Sequence, residues 1–352
     1  MKRIAMVSLS VALLTLALLI GWQGAGQSQT KEFVVAAWGD PYEAGWRKSL
    51  VPAFEKKYGV KVVWVQGFST QTLAKLRAQK DSPQIDVAMM DDGPHRQAVA
   101  LGLVEKLDRS KLPSMKELYD MAFEPNDMGV SFGLAVYGLY YNTKAFADNK
   151  WAPPTSWMDL FRPELKGKVT VHNIGNANGL YLLLALNKIA GGSDANVDPG
   201  FAKAKELAPN VVTFDKFGET PTLIQQGQAV IGTWNIDRVA NLAATGVPVQ
   251  FVYPKEVAWG QKAVITVVKG RPNTDLAHKF VDMMLSAEEQ VNTAKYIFYG
   301  PVNRMAKLDP ETAKSVVYGP EAMTKLTVAN WEVINQKRPE WTERWNKEIE
   351  VR

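Results

Sequence analysis

The chain has 352 residues, of which 46% are hydrophobic and 22% are charged, and it contains no cysteine. This ordinary globular composition excludes collagen-like, low-complexity and disordered chains, and the length favours two domains. The lack of cysteine excludes a disulfide scaffold, a thiolate zinc site, a cysteine nucleophile and a cysteine-anchored lipoprotein. The formal net charge of +5 is small and the basic residues are scattered, whereas a nucleic-acid groove needs a dense basic face.

The segment 1–26 has the pattern of a secretory signal peptide. A positive start at Lys2 and Arg3 precedes the apolar run 4–20, and the small residues 24–26 suit a signal peptidase. We therefore predict export and cleavage near the end of this segment, which lowers the formal net charge from +5 to +3. The alternative is an uncleaved membrane anchor, since the apolar run is near the short end of a spanning helix.

Strands and helices alternate in the first part of the exported chain. We predict strands and amphipathic helices in the order 33–38 (strand), 42–58 (helix), 60–65 (strand), 70–80 (helix) and 85–90 (strand). This alternation favours a mainly parallel sheet. In open α/β sheets, ligands bind at the carboxyl ends of strands, which is where Trp38, Asp91 and Asp92 lie.

The rest of the chain continues the α/β pattern without a repeat or a low-complexity linker. An apolar run covers 131–142. We predict further strands at 169–171, 229–231, 249–252 and 263–268, and helices at 180–189 and 273–296. The last segment is predicted to be a helix pair, with Ser286 and Glu289 matching a capping box. Two α/β lobes without a linker indicate a chain that crosses between the lobes more than once.

Residues 129–133 match the G-x-S-x-G nucleophile elbow, with Ser131 as the nucleophile. The elbow requires a strand, a sharp turn and then a helix, but an extended run follows here. A secreted serine hydrolase acting through Ser131 is therefore only the alternative from another functional class. The three histidines, His95, His172 and His278, are too few and too far apart in sequence for a convincing metal site.

Seven segments carry a family resemblance through their order and spacing: 33–38, 54–62, 102–108, 137–142, 154–160, 163–168 and 252–256. Together they resemble the substrate-binding proteins of bacterial ABC importers, in the branch that includes the spermidine/putrescine-binding proteins. The similarity runs through nearly the whole exported chain. It is specific for the family and much less specific for the ligand.

The resemblance implies a two-lobed α/β fold, in which each lobe is a mainly parallel sheet flanked by helices and crossing hinge segments join the lobes. By analogy we place the first lobe at 32–136 plus 263–308, and the second at 137–262 plus 309–352. A small solute binds in the cleft, the lobes close, and the closed form docks on an inner-membrane permease. A separate ATPase drives the permease, in agreement with the lack of a G-x-x-x-x-G-K-[ST] loop in this chain.

The resemblance further implies a periplasmic, monomeric protein that catalyses no reaction and needs no cofactor or metal. Its pocket rings are expected at Trp38, Trp234, Trp259 and Tyr299. Asp91 and Asp92 align approximately with small polar residues of the first-lobe cleft. The candidate ligand-binding residues are therefore Trp38, Asp91, Asp92, Asn173, Asn176, Trp234, Trp259, Gln261 and Tyr299.

The acidic half of the family's polyamine site is replaced in this chain. Asn173 and Asn176 stand where two carboxylates are expected, and Gln261 stands at a third such position, followed by Lys262. Asp237 is interpreted as a helix-cap or surface residue. Aromatic walls with amides suit a tri-cation poorly and suit a mono-amine, an amino acid derivative, a zwitterion or a sugar–amine conjugate better. Lys262 would favour a carboxylate or phosphonate if it faces the cleft.

Two other ligand classes remain as alternatives. The first is polyamine binding proper, with putrescine or spermidine as the solute. The second and less favoured one is ferric ion, because relatives that bind it use adjacent tyrosines that the stretch 232–237 lacks. The adjacent pair Tyr140 and Tyr141 is interpreted as packing in the crossing region.

Overall fold

The computed structural model describes residues 31–193 and 196–350, so the predicted signal peptide lies outside the described residues. Within that part of the chain, no helix has the length and apolar character needed to cross a membrane.

The first lobe begins with β–α–β units that share one strand. Strand β1 (Lys31–Ala37) pairs in parallel with β2 (Val60–Gln66) and with β3 (Val87–Asp91). The helices of this region are α1 (Tyr42–Trp46), α2 (Leu50–Tyr58), α3 (Ser69–Ala78) and α4 (Asp92–Ala100). The predicted parallel arrangement is confirmed, and the carboxyl ends of β1 and β3 lie side by side.

The single helix predicted over 42–58 is wrong, because the chain forms two helices, α1 and α2, separated by a break. Pro52 lies in the first turn of α2. Its ring lacks an N–H and clashes with the carbonyl four residues earlier, which disfavours a continuous helix through this position. Gly59 then ends α2 in the left-handed conformation at φ 64°.

Two long buried strands connect the lobes. Strand β4 (Val130–Asn142) is buried along all 13 residues, and β9 (Trp259–Val267) is also buried throughout. The two strands pair antiparallel with each other, and β9 pairs with β3 on its other side. The second half of β4 pairs instead with β7 (Ile231–Asn235) and β8 (Val249–Val252). These crossing strands join two otherwise separate parallel sheets.

The second lobe repeats the α/β pattern. Strand β5 (Val169–His172) pairs in parallel with β7 and with β6 (Val211–Asp215). Its helices are α5 (Thr143–Asp148), α6 (Ala177–Ile189), α7 (Asp198–Leu207), α8 (Thr220–Gln225) and α9 (Ile236–Ala244). The strand predicted at 229–231 lies further along, at β7, because its pairing with β4 sets its limits.

The C-terminal part of the chain returns to both lobes. It contains α10 (Thr274–Leu285), α11 (Ala287–Ile297), α12 (Pro310–Lys314), α13 (Pro320–Thr324), β10 (Thr327–Val328) and α14 (Trp331–Glu348). The predicted helix pair is confirmed, and Glu289 N donates to Ser286 Oγ at 3.3 Å. The reciprocal half of the capping box is wrong, because the Glu289 carboxylate accepts from Ser49 Oγ at 2.9 Å instead.

Each lobe has its own large hydrophobic core. The first contains Phe33, Phe54 and Phe280, whose ring centroids lie 4.9–5.3 Å apart. Along β4 the change from the first core to the second falls between Val136 and Tyr137. The sequence-based lobe boundaries themselves stay a prediction.

Candidate ligand-binding cleft

A cleft of about 570 Å³ lies between the lobes, at the carboxyl ends of their parallel strands. The first lobe contributes residues that follow β1 and β3, including Trp38 and Asp91. The second contributes residues at the ends of β5, β6 and β7, including His172, Asp215 and Asn235. The volume is sufficient for a small organic solute.

Aromatic rings cover the first-lobe wall. The ring centroids of Trp38 and Tyr42 are 5.6 Å apart, and those of Tyr42 and Tyr299 are 5.4 Å apart. The backbone of Trp38 is fixed because Trp64 Nε1 donates to its carbonyl at 3.0 Å. From the second lobe, Trp234 lines the opposite side of the cleft. The arrangement offers aromatic faces from both lobes to a ligand cation.

A chain of side-chain amides crosses the cleft floor. Asn178 Nδ2 donates to Asn235 Oδ1 at 2.7 Å, and Asn235 Nδ2 donates to Gln261 Oε1. Asn176 caps helix α6, since its Oδ1 accepts from Asn178 N at 2.9 Å. Gln261 and Asn176 both line the cleft. Two of the predicted amides therefore lie in the same cavity as Trp38, Trp234 and Tyr299.

Three buried or half-buried carboxylates face the cleft in different bonding states. Burial raises the pKa of Asp91 to about 6, although a hydrogen bond from Ser69 opposes the shift. Ser69 Oγ donates to Asp91 Oδ2 at 2.7 Å. Burial likewise raises the pKa of Asp237 to about 6, and its Oδ2 accepts from Tyr42 at 2.5 Å. The Asp215 carboxylate accepts hydrogen bonds from backbone N–H groups, including that of Gly218 at 2.6 Å.

The interpretation of Asp237 as a cap or surface residue is wrong. Only 1% of its surface is exposed, and it lines the cleft beside Tyr42. The N-cap position of α9 belongs to Asn235, and the Asp237 side chain points across to the first lobe.

Arg238 is one of several cleft residues that the sequence analysis missed. Its guanidinium lies over the Tyr42 ring, 4.2 Å from the centroid, and it lines the cleft. Among the described residues, no carboxylate oxygen comes within 4.0 Å of it. Its position just after β7 could have predicted a role in the cleft, by the same strand-end rule that pointed to Trp38.

His172 adds an uncharged polar group to the second-lobe wall. Burial lowers the pKa of His172 to about 4, so the imidazole is neutral near pH 7. Its Nδ1 is buried and has no hydrogen-bond partner in the described part of the chain. A neutral imidazole at this position can donate to or accept from a ligand.

Three predicted site residues lie outside the cleft. Asp92 is fully buried beneath it, where Gly93 N donates to its Oδ1 at 3.0 Å. Asn173 lines a smaller adjoining cavity of about 190 Å³, and its Nδ2 donates to Glu350 Oε1 at 2.6 Å. Trp259 packs in the second core, with its ring centroid 5.9 Å from that of Tyr181. It lines a separate cavity of about 300 Å³ beside α14.

Lys262 does not face the cleft. Its ammonium forms a buried ion pair with Glu124 and donates to the Met121 carbonyl at 3.3 Å. Side chains of successive strand residues point to opposite faces, so Gln261 reaches the cleft and Lys262 cannot. Any preference of the cleft for an anionic group therefore has to come from another cation.

The structure is incompatible with a nucleophile elbow at Ser131. This residue is fully buried within β4, and its Oγ donates to the Gly133 carbonyl at 3.1 Å. The elbow's exposed hydroxyl and sharp turn are both missing at this position. Tyr140 and Tyr141 also have core partners, Thr170 at 2.5 Å and Gln250 at 3.0 Å. No group of three or more histidine, aspartate or glutamate side chains in the described ranges could hold a metal ion.

Comparison with known proteins places this geometry in a family. The model of the bacterial extracellular solute-binding proteins matches residues 49–318. The chain belongs to this family. Members bind solutes for transport, and they are not enzymes as a class. The two-lobed α/β fold predicted from the sequence is confirmed.

Three similar proteins illustrate the range of the family. The chain is 31% identical to spermidine/putrescine-binding periplasmic protein 1 of Haemophilus influenzae, over 73% of this chain and 72% of that protein. It is 25% identical to the gamma-aminobutyric acid-binding protein of Pseudomonas aeruginosa, over 81% of each chain. An ABC transporter structure from Clostridium perfringens has a TM-score of 0.73 at 27% identity, over 90% of this chain and 99% of that chain.

Proposed function

We propose that this protein captures a small zwitterion, with an amine at one end and a carboxylate or phosphonate at the other. The observation that carries the proposal is Arg238, a cation in the cleft without an ion-pair partner among the described residues. Asp91 lies on the other lobe of the same cleft. The two groups place a guanidinium and a carboxylate on opposite lobes of the cleft.

The anionic end of the ligand is assigned to Arg238. A guanidinium presents two parallel N–H groups that match a carboxylate or a phosphonate. The neutral His172 on the same lobe can supply a further hydrogen bond. Bringing an anion into the cleft also gives Arg238 the partner that a desolvated cation requires.

The ammonium end is assigned to Asp91 and the aromatic walls. Trp38 and Trp234 face the cleft from different lobes, so lobe closure brings both rings toward the ligand. A desolvated cation–π contact contributes about 2 kcal/mol, and a hydrogen bond to a charged group about 1.5–3 kcal/mol. Contacts of both kinds are needed to offset the loss of hydration of the ammonium.

A polyamine is the second candidate, favoured by the four carboxylates of the cleft, Asp40, Asp91, Asp215 and Asp237. The sequence-level argument that carboxylates are scarce is weakened by Asp215 and Asp237. A diamine, however, would bring its second ammonium close to Arg238. Two like charges 4 Å apart repel by roughly 4 kcal/mol at an effective dielectric constant of 20.

The wider functional assignment follows the family. We propose that the exported, monomeric protein works in the periplasm without catalysis or a cofactor. It delivers its solute to an inner-membrane permease that a separate ATPase drives. Its relatives' names support this setting, since the Haemophilus influenzae protein is a periplasmic binding protein.

The proposal is tested by calorimetric titration of the refolded mature protein with γ-aminobutyrate and 2-aminoethylphosphonate. R238M should weaken both affinities about 100-fold, since a charge-assisted hydrogen bond is lost. The matched control is R344M, because Arg344 also stacks on a ring, 4.1 Å from the Phe201 centroid, but lies outside the cleft. Equal affinities for R238M and R344M would contradict the proposal.

A further inference from the structure

Tyr42 links the two lobes directly across the cleft. It belongs to the first-lobe core, whereas its two partners, Asp237 and Arg238, begin helix α9 of the second lobe. Its hydroxyl donates to Asp237 Oδ2 at 2.5 Å, and its ring supports the Arg238 guanidinium at 4.2 Å from the centroid. Ile236, the first residue of α9, also packs into the first-lobe core. The start of α9 is therefore held against the first lobe by three neighbouring residues.

Tyr42 contacts two oppositely charged neighbours that point in different directions from α9. Asp237 and Arg238 are adjacent in sequence, yet their charged groups form no ion pair within 4.0 Å in the structure. The Tyr42 hydroxyl donates to one carboxylate oxygen of Asp237, while the Tyr42 ring packs against the Arg238 guanidinium. The charged face of Arg238 is thereby left available toward the cleft.

The Tyr42 ring is itself held firmly. Only 3% of its surface is exposed, and it stacks on Trp46 at a centroid distance of 6.3 Å and an interplanar angle of 27°. Tyr299 packs on it at 5.4 Å. Because these partners belong to the first lobe, the ring keeps its place when the second lobe moves.

We infer that Tyr42 is a positioning residue that completes the anion site only when the lobes meet. In an open form, Arg238 loses the Tyr42 ring and Asp237 loses its hydrogen bond, so the guanidinium is no longer held in place by the first lobe. Closure restores both contacts and directs Arg238 to the ligand. The inference rests on the proposed function, and it adds that selectivity for an anionic group is exercised in the closed state.

The affinity test uses two probes of equal length, γ-aminobutyrate and n-butylamine, on Y42F and Y42L. Y42F should weaken γ-aminobutyrate binding about tenfold, because a hydrogen bond to a charged group is lost. Y42L, which also removes the ring face, should weaken it further, and in both variants the loss for γ-aminobutyrate should exceed the loss for n-butylamine by about fivefold or more. A merely structural effect would weaken both probes equally and would overturn the inference.

The matched control is Y140F. Tyr140 is fully buried, its hydroxyl also forms a 2.5 Å hydrogen bond, and it does not line the cleft. Y140F should change the ratio of the two affinities less than twofold. A shift as large as that of Y42F would mean that any lost tyrosine hydroxyl has this effect, and the inference would fail.

A second readout is independent of any ligand. Small-angle scattering of the ligand-free protein should show a larger radius of gyration for Y42F and Y42L than for the wild type and Y140F. Unchanged radii would overturn the assignment of Tyr42 as an inter-lobe contact. If the wild type bound neither probe, the proposed function would fail, while the scattering comparison would still decide whether Tyr42 holds the lobes together.

Discussion

The two walls of the cleft differ in chemistry. The first lobe presents rings that support one another, Trp38, Tyr42 and Tyr299, with two carboxylates, Asp40 and Asp91. The second lobe presents charged and neutral polar groups around a single ring, among them Arg238, Asp237 and His172. A ligand that spans both walls meets apolar surface and negative charge on one side, and a guanidinium among polar groups on the other.

This difference teaches where selectivity can arise. The aromatic wall accepts many amines, because every ammonium group is attracted to a ring face. The guanidinium distinguishes among them by what the other end of the molecule carries. The following predictions test that division, beginning with the largest expected effect.

The contrast between the two cleft walls requires that Lys262 stabilises the fold and does not bind the ligand. E124Q should destabilise the protein by about 3–5 kcal/mol, because it leaves the buried Lys262 ammonium without its partner. Chemical denaturation measures this loss. The double variant with K262M should recover most of it, and ligand affinity should stay within twofold of the wild type in both variants. A marked loss of affinity in the double variant would mean that Lys262 contacts the ligand.

Two tryptophans that the sequence analysis treats alike test whether the aromatic rings of the cleft bind the ligand. W234L should weaken amine binding about 30-fold, because leucine keeps apolar volume but removes the ring face that contributes about 2 kcal/mol. W259L should leave affinity within twofold, since Trp259 lies outside the cleft. Calorimetric titration of both variants with γ-aminobutyrate measures the contrast. Equal losses would mean that both rings contact ligand.

Two cleft carboxylates should respond oppositely to pH. Burial raises the pKa of Asp91 to about 6 from an ordinary value near 3.8, so its ionisation disfavours folding as pH rises through that interval. D91N should therefore be more stable than the wild type at pH 7.5, by about 1–3 kcal/mol, and lose this advantage near pH 4. Thermal unfolding at both values measures the change, and an advantage independent of pH would contradict it.

The matched control for D91N is D215N. Burial acts to raise the pKa of Asp215, but hydrogen bonds donated to its carboxylate, including that from Thr220 N at 2.9 Å, outweigh it and hold the pKa below its ordinary value. Its ionised form therefore favours folding, and this contribution is lost as pH falls. D215N should be less stable than the wild type at pH 7.5, so the two substitutions have opposite signs.

Local pattern predicted much of the fold. Alternating apolar segments placed β1, β2, β3 and the helices between them, and the strand-end rule drew attention to Trp38 and Asp91. The break between α1 and α2 could also have been predicted, since Pro52 disfavours a continuous helix.

The cleft itself was less predictable, because single positions decide which side chains reach it. Asp91 lines the cleft and Asp92 is buried below it, although they are adjacent. Gln261 and Lys262 differ in the same way, through the alternation of side chains along β9. The Arg238 guanidinium packs on the ring of Tyr42, a residue nearly two hundred positions earlier in the sequence. A local sequence pattern cannot predict such a contact.

The most direct measurement titrates the refolded wild-type protein with three molecules of the same four-carbon length. These are γ-aminobutyrate, n-butylamine and putrescine, which share an amine and end in a carboxylate, a methyl group and a second ammonium. Zwitterion recognition through Arg238 predicts that γ-aminobutyrate binds at least tenfold more tightly than either of the others. Tighter binding of putrescine than of γ-aminobutyrate would contradict it and would identify the cleft carboxylates as a polyamine site.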